Sequence, residues 1–425
     1  MSLKRRDFIK LSAGTGAILS SASSLASGNK KHDHFNLDKL QKMTDNVVPI
    51  TVEERKTRVA KAQKLMAENN IQAVLLDSGT SLVYFTGIHW WPSERTMVAI
   101  IPAKGEVKYV SPAFEADRLR ELIKIGNDVK IWEEHESPYK VIVDTLKEYG
   151  INGGNIGMEE RLRFFVLDGV RKEAPNLNFV SGDPVTATCR MIKSPAEIAL
   201  LQKANDITIA SIRVGVSSLK EGMSNRELSD IIGEAHRKLG GNSDGALVNI
   251  GESSALPHGS IKPQHIKKGD IVLMDCGCTV EGYTSDITRT VVFGAEPTKR
   301  QLDIWNLEKK AQAAGFAAAK IGQPCENVDI AARKVLIDAG FGPGYKLPGC
   351  PHRTGHGIGM DGHEWGNMVL GNKKLLEPGM CFSIEPTIVL PGEFGVRLED
   401  CAYIAEDGAR WFTKQSIAID KPFAE

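Results

Sequence analysis

The sequence predicts an α+β protein in two parts, an α/β domain over residues 51–185 and a pseudo-symmetric domain over residues 186–425. Two observations carry this. Short apolar, β-branched stretches alternate with helical patterns through the first part, as in layered α/β structures. In the second part an order of helix, helix, His-bearing loop and carboxylate-bearing hairpin occurs twice. Glycines recur at matching places, Gly222 with Gly322 and Gly240 with Gly340, at a constant offset of one hundred residues. Two copies are too few for a solenoid, but they suit a domain whose hairpins converge on a central site.

At 425 residues the chain has room for two cores. Its 53 basic and 53 acidic residues cancel, and no basic stripe interleaves with aromatics, which argues against nucleic acid as a partner. Seven cysteines show no C-x-x-C spacing, and an odd number cannot close a full disulfide framework.

The N-terminus reads as an address. Ser2-Leu-Lys-Arg-Arg-Asp-Phe-Ile-Lys10 carries paired arginines ahead of a mild apolar run from Leu11 to Leu25, and Ser24-Leu25-Ala26 offers a small-residue cleavage site. Residues 1–26 resemble a twin-arginine export signal, which implies a periplasmic location in a Gram-negative cell. The run is too short and too rich in Ser and Gly for a stable membrane anchor. Residues 27–50 are polar and read as a linker, with His32 and His34 as solvated tail residues.

Thr51-Val-Glu-Glu54 is a capping box that predicts a helix to about Asn69. Strands are expected at residues 73–76, 82–85, 97–101 and 107–110, and helices near 114–123, near 139–149 and after Arg161. His89, Trp90 and Trp91 fall in a loop, where they either pack or line a substrate mouth. In the second part Ser194, Pro195 and Glu197 take the N-cap, N1 and N3 places of a helix to about Val214. Ser224 opens the next, which ends near Gly240, and a strand follows at 246–250. Thr298 opens a helix to Lys320, and Pro324 begins one that ends at Gly340.

The chemistry sits on the hairpins. Residues 271–293 are apolar and β-branched at both ends with Val280-Glu281-Gly282 between, so a turn centred between Val280 and Glu281 sets Asp275 opposite Asp286. Residues 380–404, centred on Gly392, set Glu385 opposite Glu399 and Thr387 opposite Arg397. Carboxylates facing each other at about 5 Å repel unless a positive charge lies between them. A divalent cation with oxygen ligands answers that need. Cys276 and Cys278 point away from Asp275 and belong to the core. Between the hairpins, Cys350-Pro-His-Arg-Thr-Gly-His-Gly-Ile-Gly-Met-Asp-Gly-His-Glu364 brings His352, His356 and His363 into one Gly-rich stretch, with His258 upstream in Pro257-His258-Gly259.

These residues make the second domain similar to the creatinase/aminopeptidase P/prolidase family of "pita-bread" metallopeptidases. Tyr84-Phe-Thr-Gly87 and Arg190-Met-Ile-Lys-Ser-Pro-Ala-Glu-Ile198 extend the resemblance over roughly residues 50–410, and make the first domain creatinase-like. The resemblance implies metal ligands Asp275, Asp286, His356, Glu385 and Glu399 for two divalent ions. Asp286 and Glu399 would bridge them. Four carboxylates and one imidazole favour Mn over a thiolate-type zinc site, with Co, Zn or Fe as alternatives. Glu385 would move the proton of the attacking water, His258 and His363 would steady the oxyanion, and His352 and Arg397 would orient the proline side. Proline-containing peptides are the implied substrates, of an aminopeptidase P or a prolidase, and a homodimer is the implied assembly. A metal-dependent lyase or other hydrolase, or a non-catalytic binding protein on the same fold, are the competing readings.

Overall fold

A computed structural model describes residues 37–423. The export-signal stretch, His32 and His34 lie outside the described residues. Helix α1 (Val52–Glu68) opens on Thr51, whose hydroxyl accepts the Glu54 N–H at 3.1 Å. After it come β1 (Ile71–Leu76), α2 (Thr80–Thr86), β2 (Val98–Pro102), β3 (Lys108–Pro112), α3 (Ala116–Leu122), β4 (Asp128–Trp132), α4 (Pro138–Glu148), β5 (Gly154–Met158), α5 (Phe164–Glu173) and β6 (Leu177–Ser181). The strands form one sheet in the order β4-β3-β2-β1-β5-β6. Pairs β1–β2 and β2–β3 are antiparallel and the others parallel. Alternation along β1 and β2 sends Val74, Leu76, Ala99 and Ile101 to one face, in the same core as Val59 and Met66 of α1. Ala73, Leu75, Val98 and Ile100 go to the other face, with Leu146 of α4 and Val170 of α5. Each such large side chain contributes about 1.5–3 kcal/mol by leaving water.

Leu82–Phe85, expected as a strand, is part of helix α2 instead. A four-residue apolar run does not separate the two. What decides is Gly87, left-handed at φ 76°, whose N–H closes the helix on the Val83 carbonyl. Arg55 Nη1 then takes the carbonyls of Val83 (2.6 Å) and Tyr84 (3.0 Å) at the helix's negative end. Strands β4, β5 and β6 were not anticipated. β4 and β6 are edges, and β5 is Gly-Asn-Ile-Gly-Met, so the ladder of their neighbours holds them rather than their own pattern.

The second part runs through α6 (Thr186–Met191), α7 (Pro195–Ser217) and α8 (Asn225–Leu239), the last two opened by complete capping boxes at Ser194/Glu197 and Ser224/Glu227. Strands β7 (Ala246–Ile250), β8 (Ile271–Cys276), β9 (Thr279–Val280), β10 (Tyr283–Thr284) and β11 (Ile287–Val292) follow. A second helix pair, α9 (Lys299–Ala318) and α10 (Glu326–Asp338), precedes β12 (Gly355–Gly357), β13 (Glu364–Met368), β14 (Cys381–Ile384), β15 (Thr387–Leu390), β16 (Phe394–Arg397), β17 (Asp400–Ala405) and β18 (Gly408–Trp411). Residues 40–50, read as linker, are not free of the fold: Leu40, Met43, Val47 and Ile50 pack partly buried against Leu200, Leu201 and Ala204 of α7, and the Met43 N–H meets the Leu239 carbonyl at 2.8 Å.

The aspartate hairpin turns one residue later than expected, which shifts its pairing register by two. Val280 pairs with Tyr283, leaving Glu281 and Gly282 as the turn, and Asp275 faces Thr288 instead of Asp286. Both turn residues have positive φ, 49° and 82°, as a two-residue hairpin of this hand requires. β-branched Val280 resists that conformation, which moves the turn onward. A shift of two keeps every side chain on its face, so Asp286 remains beside Asp275. The glutamate hairpin has the expected register: Thr387 pairs with Arg397 and Ile384 with Asp400, which leaves Glu385 opposite Glu399 between the two ladders. Thr288 and Glu399 exchange backbone hydrogen bonds of 3.2 and 3.3 Å and so join one hairpin to the other.

All seven cysteines are free and buried. Among the described residues no helix is long and apolar enough to cross a membrane. Under the aspartate hairpin, His236 of α8 is wholly buried, its Nε2 3.1 Å from the Thr208 hydroxyl, which lies 2.8 Å from that of Ser285. Burial, with Arg237 nearby, lowers its pKa to about 4. The unfolded chain takes up this proton near pH ~6.5 and the folded one only lower, so stability drops as pH falls through that interval. The loss should reach ~3 kcal/mol by the acid end. Urea unfolding at neutral and mildly acid pH should show a slope that His236→Gln flattens.

Candidate metal centre

Asp275 is next to last in β8 and Asp286 immediately precedes β11; His356 is the middle residue of β12, Glu385 follows β14, and Glu399 lies between β16 and β17. Strand ends of both hairpins therefore meet at one place. Three sets of donor atoms gather there, each within 4.8 Å: Asp275 with Asp286 and Glu399, His356 with Glu385 and Glu399, and Asp286 with His356 and His363. All nine residues singled out from sequence line one cavity of about 430 Å³, together with Arg353, which was not anticipated. His89, Trp90 and Trp91 line a different cavity, beside Gly282 and Met360.

The electrostatics of this cluster are those of a cation site. Burial, then repulsion from Asp275 and Glu385, pushes the Asp286 carboxyl well above its ordinary range. Glu399 rises likewise, through burial and then Asp286, Glu385 and Asp275. Burial also raises Glu385, but His356, His352 and Arg397 outweigh it and bring the carboxyl to about 2. Glu399 Oε2 accepts from the Thr288 hydroxyl at 2.7 Å, while its Oε1 is buried without a partner. His356 Nδ1–H donates to the Gly357 carbonyl at 3.1 Å, and its Nε2 lies 3.1 Å from Glu385 Oε1 and 3.6 Å from Asp286 Oδ2. Buried carboxylates crowd one another, and one buried oxygen faces nothing. A hard divalent cation resolves both, and four carboxylates with one imidazole are a suitable donor set.

The other residues divide by what already binds them. Arg397 lies in the cavity wall, but its guanidinium is engaged by Asp275, the Thr288 hydroxyl (3.1 Å) and the Pro257 carbonyl (3.4 Å). A substrate carboxylate would compete with Asp275 for it. His352 is held at both nitrogens, by the Arg353 carbonyl (2.7 Å) and the Thr387 hydroxyl (2.9 Å). His363 stacks obliquely on His356, ring centroids 4.0 Å apart, and its Nδ1 is 3.2 Å from Arg353 Nη2. Arginine only donates, so Nδ1 accepts and the ring proton sits on Nε2. Burial, His356 and Arg353 lower its pKa to about 4, which keeps the ring neutral. His258 is exposed on the loop after β7. The Arg353 guanidinium makes no other hydrogen bond among the described residues and pairs with no carboxylate there. Thr288 was not anticipated either, though its place two residues after Asp286 on the same strand face could have pointed to it; Arg353 offered no such signal, since a loop arginine beside a histidine is ordinary.

Residues 199–406 match the model of metallopeptidase family M24, and residues 58–192 that of the creatinase/prolidase N-terminal domain. A Xaa-Pro dipeptidase from Lactobacillus delbrueckii subsp. lactis is 33% identical over 362 residues, covering 84% of this chain and 96% of its own. The chain belongs to metallopeptidase family M24. Among solved structures, this M24 chain is similar to a dipeptidase from Pyrococcus horikoshii OT3 (TM-score 0.75, 32% identity, 84% of this chain and 98% of that one). It is also similar to dipeptidase PepE from Mycobacterium ulcerans (TM-score 0.81, 29% identity, 89% and 100%). The protein is a divalent-metal-dependent peptidase with a creatinase-like first domain and a pita-bread second domain.

Proposed function

We propose that the protein is an exported Xaa-Pro dipeptidase that works with two divalent cations, Asp275, Asp286, His356, Glu385 and Glu399 holding them. Two of the donor sets share Glu399 and two share Asp286, which suits adjacent ions with common ligands. The oxygen-rich set favours manganese. When bound, such ions polarise a carbonyl and acidify water. Glu385 accepts the water's proton and delivers it to the proline nitrogen, which has no N–H of its own. His363 Nε2–H, with His258, donates to the oxyanion. Peptidases named as Xaa-Pro dipeptidases among the relatives support the substrate class. The paired arginines at Arg5 and Arg6 support export. A homodimer, and a division between domains at residues 185/186, complete the reading; the last agrees with a first sheet that ends at Ser181.

The observation that carries dipeptidase over aminopeptidase is Arg353. A guanidinium without a carboxylate partner, beside the metal cluster in a cavity of about 430 Å³, suits a free C-terminal carboxylate one residue past the cleaved bond. Charge-assisted hydrogen bonds of this kind contribute about 1.5–3 kcal/mol. Arg353→Met should therefore lower kcat/KM for Ala-Pro by about 10–100-fold, and change little for Gly-Pro-Ala, whose carboxylate lies farther out. Equal losses on both peptides, or faster cleavage of the tripeptide by the unaltered enzyme, would favour the aminopeptidase.

A further inference from the structure

His363 stands in the chain between two acidic residues that take no part in the metal cluster. Glu364 is buried, its Oε1 accepting from Arg190 Nη2 (2.6 Å) and from the backbone N–H groups of Met360 (3.1 Å) and Asp361 (3.2 Å), and its Oε2 from Lys193 Nζ (2.8 Å). Asp361 Oδ2 accepts from Arg190 Nη2 (2.5 Å) and Arg161 Nη2 (3.0 Å); its Oδ1 accepts from the Thr80 hydroxyl (2.7 Å) and Arg161 Nη1 (3.1 Å). Arg190, only 1% exposed, thus spans both acids. A buried ionic network is weak evidence for stability, because desolvation offsets the attraction. Its geometry supplies another reason for it. The loop at residues 359–364 has no slack: a Cβ on Gly359 would lie 2.5 Å from Glu364 Oε2. The Gly359 carbonyl also accepts the Thr284 N–H at 2.8 Å, two residues before Asp286. The loop is therefore tied to the first domain by Thr80 and Arg161, to α6 by Arg190, and to the aspartate hairpin by Thr284. The imidazole between these ties is the one that reaches the cavity.

We propose that Asp361 and Glu364, gripped by Arg190 and Lys193 and, from the first domain, by Thr80 and Arg161, are positioning residues that aim His363 at the metal cluster. The first domain then acts on the reaction through this grip. The inference rests on the role given to His363 above. Outer partners of site residues commonly matter by about 10–100-fold. Asp361→Asn, which keeps the shape and removes the charge, should lower kcat on an Xaa-Pro dipeptide by that factor, with bound metal and KM held. In a His363→Ala background the same substitution should cost nothing further, because the group it aims is gone. Thr80→Val with Arg161→Met, on the half-exposed side of the same carboxylate, should give a smaller loss of the same kind, and takes its place if Asp361→Asn does not fold. An unchanged kcat, a loss of metal, or an equal factor in both backgrounds overturns the positioning role while leaving the peptidase reading intact. If His363→Ala alone costs nothing, the role of His363 and this proposal fall together.

Discussion

Asp286→Asn is expected to release bound divalent metal and to lower kcat by about 10³-fold or more, a loss of ~4 kcal/mol in transition-state stabilisation. Asp286 belongs to two of the three donor sets, so its removal damages both halves of the cluster. Metal analysis beside turnover of an Xaa-Pro dipeptide measures the two losses together. A second readout separates electrostatics from general damage. In the metal-free protein the Asp286 carboxyl is raised well above its ordinary range by burial, Asp275 and Glu385. A carboxyl raised on folding contributes stability that is full in acid and is lost as pH climbs through the raised value. The metal-free enzyme should therefore weaken toward neutral pH, and metal-free Asp286→Asn should be the more stable of the two there. Thermal melts in chelator across that range would show it; an asparagine variant that is less stable would sink the account of the cluster as crowded charge.

His258→Ala is expected to lower kcat by about 10²–10³-fold, the cost of removing one oxyanion donor, while bound metal stays at the wild-type level. The side chain is exposed, lines the cavity, and makes no hydrogen bond to the described residues, so its removal leaves the scaffold intact. Rate and metal content should be read on the same sample. Loss of metal along with rate would place His258 in metal binding instead.

Much of the site was legible in the sequence because its donors sit on hairpins, where period and turn chemistry fix which residues share a face. The glutamate hairpin was readable to the residue, since Gly392 marks its turn. The aspartate hairpin was readable only in face, because the choice between Val280-Glu281 and Glu281-Gly282 as turn depends on tolerance of positive φ at two successive positions. In the first domain, strands with their own apolar alternation were visible and β4, β5 and β6 were not. Their place comes from neighbours far along the chain. Helix α2 was misread because a buried apolar run of four carries no period, and its caps are Gly87 and a guanidinium from another helix. Arg353 and the Asp361–Arg190–Glu364 grip escaped for a related reason: what distinguishes them is which partners they have or lack, and partners are a property of the folded chain.

The seven buried thiols impose an order of events. Burial raises Cys189 and Cys381 to about 12 and Cys325 and Cys350 to about 11, so in the native protein almost no thiolate exists for an oxidant to attack. An unfolded chain has no such shelter, and seven exposed thiols can cross-link in many wrong ways. Folding itself is therefore what shelters the thiols, and a chain that reaches its final shape before meeting oxidants has little thiolate left to lose.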